Sequence, residues 1–458
     1  MKFYLRKHMQ LYNYQNEGVR FLVAQGNALL ADEVGLGKSV QAITACEQLQ
    51  ARKVLILCPA ILKEQWKAEI YKIMPEATTQ VISGKQSERI NQWKVQWLDF
   101  GFVKYTIANY ELLLRDFKAI QNIKWDVIIA DEATHISNPR AKQSKAIKQL
   151  YSRYRIALTG TPYNNKVDDI WNMIDWLRPG ILGNWWQFTN NFVVRNKWNA
   201  VIGYRNLDLL KAKIDPYILR RTKQEVLREL PEIITSDIPF VLGEEERKLY
   251  DQIRKELLFE IQEADINKIE NPVTIQQSLT KMLRLRQLVN SMELLGENKV
   301  STKLEVLKEL LPTVLNGEKK AIIFSEFSKM CDILERELHE YKPLKITGEV
   351  SGRDEILEKF NNDEESRILV MSSAGQFGLN IQRASVVVHY DNAWSLSKMI
   401  QRLGRAHRIG QKDVVLEYHL LGKGTADMYV KKTLDKKKEM ADFMLGAQEI
   451  REILSYED

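Results

Sequence analysis

The sequence predicts an α/β protein of two lobes with parallel sheets, joined by a helical insert region. Three observations predict it. Short, continuously apolar runs alternate with helical patterns at both ends of the chain, as strands do when both faces of their sheet are covered. The middle lacks such runs and is helical, Trp-rich and charged. The length, 458 residues, exceeds what one hydrophobic core fills.

In the first lobe, residues 1–167, the strand candidates are Ala28–Ala31, Val54–Cys58, Tyr105–Ala108, Val127–Ala130 and Ile156–Thr159. Helical stretches such as Lys38–Leu49 and Leu62–Ile73 separate them, the order of a parallel sheet wrapped by helices. Residues 168–295 are expected to form the helical insert and bridge. Arg247–Glu263 and Leu279–Val289 carry apolar residues at helical spacing there. Trp171 and Trp176, in Ile170–Leu177, read as core, and core is favoured for every tryptophan except Trp394. A hinge is expected near Glu293–Ser301, which is polar and carries Gly296. Residues 296–458 form the second lobe and C-terminal helices, with strands at Ala321–Ser325, Ile368–Ser372, Val386–Tyr390 and Val414–His419. The basic stretch Val430–Lys438 reads first as a solvated helix face and second as a DNA contact.

Lys and Arg number 67 against 60 Asp and Glu, a net charge of +7 that suits a polyanionic partner without requiring one. Cys46, Cys58 and Cys331 are scattered with no C-x-x-C pair, so no disulfide framework is expected and a reducing compartment is the default. The six histidines do not cluster with them, so no structural zinc site is readable. No apolar run is long enough to cross a bilayer, and the N-terminus lacks the apolar core of a signal peptide. The expectation is a cytoplasmic protein with no membrane partner.

The sharpest local signal is Asp32-Glu33-Val34-Gly35-Leu36-Gly37-Lys38-Ser39, between an apolar strand and a helix. Gly35 and Gly37 let backbone N–H groups approach phosphate, and the helix N-terminus favours its charge. Lys38 can reach the β- and γ-phosphates and Ser39 can bind Mg²⁺. Asp32 stands where the general pattern has Gly, so a helix-capping turn is the competing reading. Trp125–Ala130 then runs into Asp131-Glu132, carboxylates placed to hold Mg²⁺ and to activate water. Acidic capping of the next helix is the alternative. Far along the chain, Gln401-Arg402-Leu403-Gly404-Arg405-Ala406-His407-Arg408 spaces arginines three apart, on one face if helical. They suit a γ-phosphate bound by the first lobe, although a basic helix alone is more often a surface.

Together these residues resemble superfamily-two helicases, and within them the Swi/Snf-type DNA translocases, from about Leu11 to Gln411. The resemblance implies two RecA-like lobes and an ATPase that uses ATP and Mg²⁺. It makes Gln15 in Leu11–Gln15 the adenine reader and Asp131 a Mg²⁺ ligand beside Ser39. It implies Lys38, Glu132, Gln401, Arg405 and Arg408 as catalytic residues, the arginines as fingers. Leu158–Pro162 resembles the motif coupling hydrolysis to lobe movement, with Thr159, Gly160 and Thr161. Cys58-Pro59-Ala60 and Ile107–Glu111 resemble strand-contacting motifs, and Leu219-Arg220-Arg221-Thr222-Lys223 a helical-region signature. Ser372–Asn380 resembles a motif touching both nucleic acid and nucleotide. Arg405–Gln411 is the most family-specific string. The acidic motif departs by reading Asp131-Glu132-Ala133-Thr134, with His135 one place late. The chain resembles compact stand-alone members of bacteria and phages.

The nucleic-acid contacts implied are Lys63, Asn109, Ser325, Ser373, Gly375 and Trp394, from amides, small hydroxyls and basic groups. Duplex DNA is the expected partner of a monomeric chain, with an unidentified protein partner allowed. A strand-separating helicase on single-stranded DNA or RNA, or a nucleotide-gated clamp, are the alternatives.

Overall fold

The computed structural model describes residues 11–94, 104–162, 167–196, 201–227, 230–266, 272–297, 301–348, 352–372 and 381–445. The chain divides into two compact units, Met1–Arg228 with Glu439–Asp458, and Glu229–Lys438.

The strands of the first unit are β1 (Asn27–Leu30), β2 (Lys53–Cys58), β3 (Thr78–Val81), β4 (Lys104–Asn109), β5 (Trp125–Asp131), β6 (Ser152–Leu158), β7 (Val193–Arg195), β8 (Val201–Tyr204) and β9 (Ile218–Leu219). Seven form one sheet in the order β3-β4-β2-β5-β6-β1-β9, all neighbours parallel. The other two, β7 and β8, pair antiparallel. The continuous apolar runs have the predicted cause. Leu29, Leu55, Leu57, Ile128, Ala130 and Ala157 enter one core, and the alternate residues Ala28, Leu30, Val54, Ile56, Ile129 and Ile156 enter the other.

The second unit holds β10 (Ile233–Phe240), β11 (Ala321–Ser325), β12 (Leu344–Ile346), β13 (Ile368–Ser372), β14 (Val386–His389) and β15 (Val415–Gly422). They form a parallel sheet in the order β10-β15-β14-β11-β13-β12. Its faces divide in the same way, with Ile323, Val370 and Val388 on one and Ile322, Leu369 and Val387 on the other. These are two RecA-like lobes.

The middle of the chain is organised differently from a free-standing insert. Helices Asp169–Leu177, Trp185–Phe192 and Leu207–Ile214 send Met173, Trp176, Phe188, Leu210 and Ile214 into a core shared with the first sheet. The following β10 belongs to the second sheet, pairing with β15 over its whole length. Instead of a hinge near Glu293–Ser301, both sides of that segment lie in the second unit. Ser301 Oγ donates to the Asn290 carbonyl at 3.0 Å and Lys303 Nζ to Asn290 Oδ1 at 2.9 Å. Trp171 and Trp176 are core, but Trp186 is 70% exposed, on the opposite helix face from buried Phe188. All three cysteines are buried and unpaired. Among the described residues no helix is long and apolar enough to cross a membrane. Val430 and Leu434 turn inward on helix Ala426–Leu445, while Lys432 is exposed.

Candidate nucleotide site

In a parallel sheet every strand delivers its following loop to the same edge, where ligands of such folds bind. Here β1, β5 and β6 are adjacent or next-but-one, so their loops meet. Thr159 N donates to the Leu30 carbonyl at 3.2 Å, which ties the Thr159–Thr161 loop to the start of the phosphate loop.

The phosphate loop turns on glycine. Gly37 caps helix Lys38–Gln48 with φ 73°, and a Cβ there would stand 2.5 Å from Gln15 Nε2. Leu36 anchors the loop in the core, and its carbonyl accepts from Gln15 Nε2 at 3.4 Å and Gln41 Nε2 at 3.2 Å. The expected adenine reader therefore lies against the loop it was assigned to serve. Lys38 Nζ donates to the carbonyls of Asp32 at 2.7 Å and Glu33 at 3.3 Å. Burial lowers its pKa, against the pull of Glu132, Asp32, Asp131 and Glu33. Ser39 is half-buried in the first turn of the same helix.

Asp131 closes β5. Its Oδ2 accepts from Trp66 Nε1 at 2.8 Å and its Oδ1 from the Glu132 N–H at 2.9 Å. Burial raises its pKa, opposed by the Trp66 hydrogen bond and the Lys38 charge. Glu132 has φ 48° and ψ 55°, left-handed backbone that a side-chain-bearing residue adopts at a cost. The displaced His135 stacks on Tyr110 with ring centroids 5.0 Å apart, and Tyr110 donates to the Asp131 carbonyl at 2.7 Å.

Thr161 N donates to Thr159 Oγ1 at 3.1 Å, while Thr161 Oγ1 is buried with no protein partner, an open donor beside the loop. Gly160 is there because nothing larger fits. A Cβ would stand 2.7 Å from Val34 Cγ2, 3.5 Å from Val34 N and 3.7 Å from Lys38 Nζ. Gly160→Ala is expected to displace the phosphate loop and cut ATP turnover roughly 10- to 100-fold, the cost of a shift of about 1 Å at a reacting centre. Adding Val34→Ala removes the opposing methyl and should restore most of the rate in a steady-state assay. A double variant as slow as the single one would place the defect elsewhere.

The other assigned residues are dispersed. Lys63 opens helix Lys63–Ile73 and donates to the Ile82 carbonyl at 2.8 Å. Asn109 ends β4 at the same sheet edge, its amide on Glu111 Oε2. In the second unit, Ser325 is fully buried and gives its hydroxyl to Asp391 Oδ2 at 2.6 Å, so the expected phosphate donor is instead a core hydrogen bond. Trp394 is 39% exposed, with the Arg286 guanidinium over its ring at 5.2 Å. Ser373 and Gly375 lie outside the described residues.

Gln401 and Arg405 are buried on helix Leu396–Ala406. Arg408 is not on that helix face, because the helix ends at Ala406. The end is fixed by Gln411, whose Nε2 donates to the carbonyls of Gln382, Ala384 and Ala406 at 3.0, 2.9 and 3.2 Å. Arg402 is wholly buried, donating to the Asp391 carbonyl at 2.7 Å and to Glu326 Oε1 at 2.5 Å. Part of this arginine-rich string is thus architecture.

The sequence reading did not foresee a buried cluster of His389, Glu417 and His419. The histidine rings stack 4.7 Å apart, and Glu417 meets His389 Nε2 at 3.0 Å and Thr235 Oγ1 at 2.8 Å. Burial pushes the His419 imidazole down to about 3. His389 Nδ1 is buried without a partner, which a metal-bound, Nδ1-protonated ring would tolerate poorly. Internal hydrogen bonding accounts for the cluster. Arg221 was also missed as a site residue: it grips Asp32 across 189 positions of chain, and no local spacing signals that.

A glycine loop opening a helix, an acidic pair on the next-but-one strand and a threonine loop between them define the phosphate-loop class of nucleotide-binding folds. Residues 14–294 match the SNF2-related domain and residues 302–410 the helicase conserved C-terminal domain. The chain belongs to the SNF2-related, Swi2/Snf2-type family of ATP-dependent helicases. It is 32% identical to an uncharacterized ATP-dependent helicase of Mycoplasma genitalium, over 94% of this chain and 42% of that protein. It is 29% identical to the ISWI chromatin-remodeling complex ATPase ISW1 of Saccharomyces cerevisiae, over 90% of this chain and 38% of that protein. The chain thus spans less than half the length of these curated relatives. Among solved structures, the Sulfolobus solfataricus SWI2/SNF2 ATPase core in complex with dsDNA is 30% identical, covering 97% of this chain and 95% of that one, with a TM-score of 0.47.

Proposed function

We propose that this chain hydrolyses ATP and couples the reaction to movement along double-stranded DNA. The observation that carries the ATPase reading is the meeting of three loops at one sheet edge, with the Gly160 Cβ position 3.7 Å from Lys38 Nζ. Lys38 and the amides of the loop and helix start take the β- and γ-phosphates. The Ser39 hydroxyl and Asp131 carboxylate are an oxygen donor set that fits Mg²⁺, and burial of Asp131 is a cost that a cation would relieve. When bound, Mg²⁺ would neutralise charge on the phosphates. Glu132 takes a proton from water as its oxygen bonds to the γ-phosphorus and the bond to the ADP oxygen breaks. Gln401, Arg405 and Arg408 are assigned to stabilising the transferring phosphoryl group on the strength of the sequence string.

Duplex DNA as the track also rests on the Arg405–Gln411 resemblance. Exposed Trp394, held by Arg286, and Lys63 and Asn109 are the proposed contacts. The test is steady-state ATP hydrolysis alone and with duplex DNA, single-stranded DNA and RNA. Stimulation by duplex above the other two is expected. Stronger stimulation by single strands or RNA would replace translocation with strand separation.

A further inference from the structure

The loop that this reading gives to ATP has a second wall. After β9 pairs with β1, the chain continues beside the phosphate loop instead of leaving it. Ala31 N donates to the Leu219 carbonyl at 2.7 Å and Glu33 N to the Arg221 carbonyl at 2.9 Å. Lys223 N reaches Glu33 Oε2 at 2.9 Å, and its ammonium lies 3.2 Å from Glu33 Oε1. Between these rungs Arg221 forks onto Asp32, with Nε at 3.0 Å from Oδ1 and Nη2 at 2.5 Å from Oδ2. Asp32 is wholly buried, so this is a bidentate charge pair shielded from water.

The pair reaches further. Arg221 Nη2 also donates to Gln41 Oε1 at 2.9 Å, and Gln41 Nε2 donates to Asp32 Oδ2 at 3.1 Å and the Leu36 carbonyl at 3.2 Å. Arg221, Asp32 and Gln41 therefore hold the loop from beneath, at its first residue and at the turn before Gly37. Helix Asn13–Gln25 makes room for them with a glycine. A Cβ on Gly18 would stand 1.8 Å from Gln41 Oε1 and 2.8 Å from Arg221 Nη2.

We infer that Arg221 is a positioning residue for ATP: with Asp32, Gln41 and Gly18 it sets the shape of the phosphate loop from outside the nucleotide. Asp32 departs from the general glycine pattern because its carboxylate is the handle by which the Leu219–Lys223 segment holds the loop. The inference rests on the ATP reading of that loop.

Arg221→Lys keeps the charge and loses the fork. Gly18→Ala touches neither charge but drives a methyl into the clamp, while alanine favours a helix interior over glycine. Both are expected to raise the KM for ATP roughly 10- to 100-fold, with the Gly18→Ala melting temperature no lower than wild type. Arg221→Gln and Asp32→Asn should each raise KM, and the double variant should be no worse than the poorer single, since the pair acts as one unit. A purely structural Arg221 would lower the folded fraction and apparent kcat without moving KM. If wild type turns over ATP while Gly18→Ala and Arg221→Lys keep its KM, the clamp is wrong and the ATP reading stands. If wild type neither binds nor hydrolyses ATP, the ATP reading falls first. Arg221→Gln could fail to fold by stranding the Asp32 carboxylate; Gly18→Ala and the double variant then decide.

Discussion

Lys38→Ala is expected to lose ATP turnover by on the order of 10²- to 10³-fold, the cost of removing a charge aimed at a transferring phosphoryl group. It is also expected to melt no lower than wild type, and that second half makes the test informative. Burial lowers the folded-state pKa of Lys38 below its ordinary value, in spite of four nearby carboxylates. The folded state therefore holds this proton less tightly than the unfolded chain does. At a pH below the folded-state value the ammonium costs stability, and the cost fades as pH rises through the folded and then the unfolded pKa. The variant removes that cost. It also removes two hydrogen bonds to the Asp32 and Glu33 carbonyls, which offsets the gain in part. Turnover measured beside a melting curve separates the outcomes. Activity near wild type would overturn the role of Lys38. Lost activity with a markedly lower melting temperature would mean that the lysine holds the loop together rather than the nucleotide.

What could be read beforehand follows from where each signal lies. Strands β1, β2, β4, β5, β6, β11, β13 and β14 were legible because their central residues are covered on both faces and mostly apolar. Strands β3, Thr78–Val81, and β10, Ile233–Phe240, were missed, as were the short β7, β8, β9 and β12; the first two escaped for the opposite reason. They lie at sheet edges, and their partly exposed sides admit Thr, Gln, Ser and Asp, which dilute the pattern. The second strand, β10, fell in a stretch read as helical, so the middle of the chain looked like one insert when its parts belong to both units.

The site divides similarly. Gly37, Lys38, Asp131, Glu132 and Thr159–Thr161 sit in short strings whose chemistry is local, and the sheet brings those strings to one edge. Asp32 could be seen as a departure, but its explanation is Arg221, which the fold alone delivers. Ser325 and Gln411 show the converse. A polar residue in a motif invites a functional role, yet one hydroxyl satisfies Asp391 and one side-chain amide caps a helix.

Glu132→Gln is expected to keep ATP binding and lose turnover by about 10²- to 10⁴-fold, the usual contribution of a positioned general base. The backbone explains why so small a change tests the role cleanly. The left-handed conformation of residue 132 comes at the end of β5, where its N–H donates to Asp131 Oδ1. Glutamine should occupy the same place with the same reach and lack only the basic oxygen. Normal turnover in Glu132→Gln would move the base elsewhere; lost nucleotide binding would make Glu132 a loop-shaping residue. Glu132→Gly extends the argument to stability. An L-residue in this conformation costs roughly 1–2 kcal/mol, and glycine relieves that while adding about 0.5–1 kcal/mol of unfolded-chain entropy. The glycine variant should therefore be as inactive as the glutamine variant but stable to within about 1 kcal/mol of wild type. Glutamate would then hold a position where stability alone gives it no advantage over glycine, and the carboxylate is the reason left for it. A glycine variant destabilised by several kcal/mol would show instead that the side chain holds this turn.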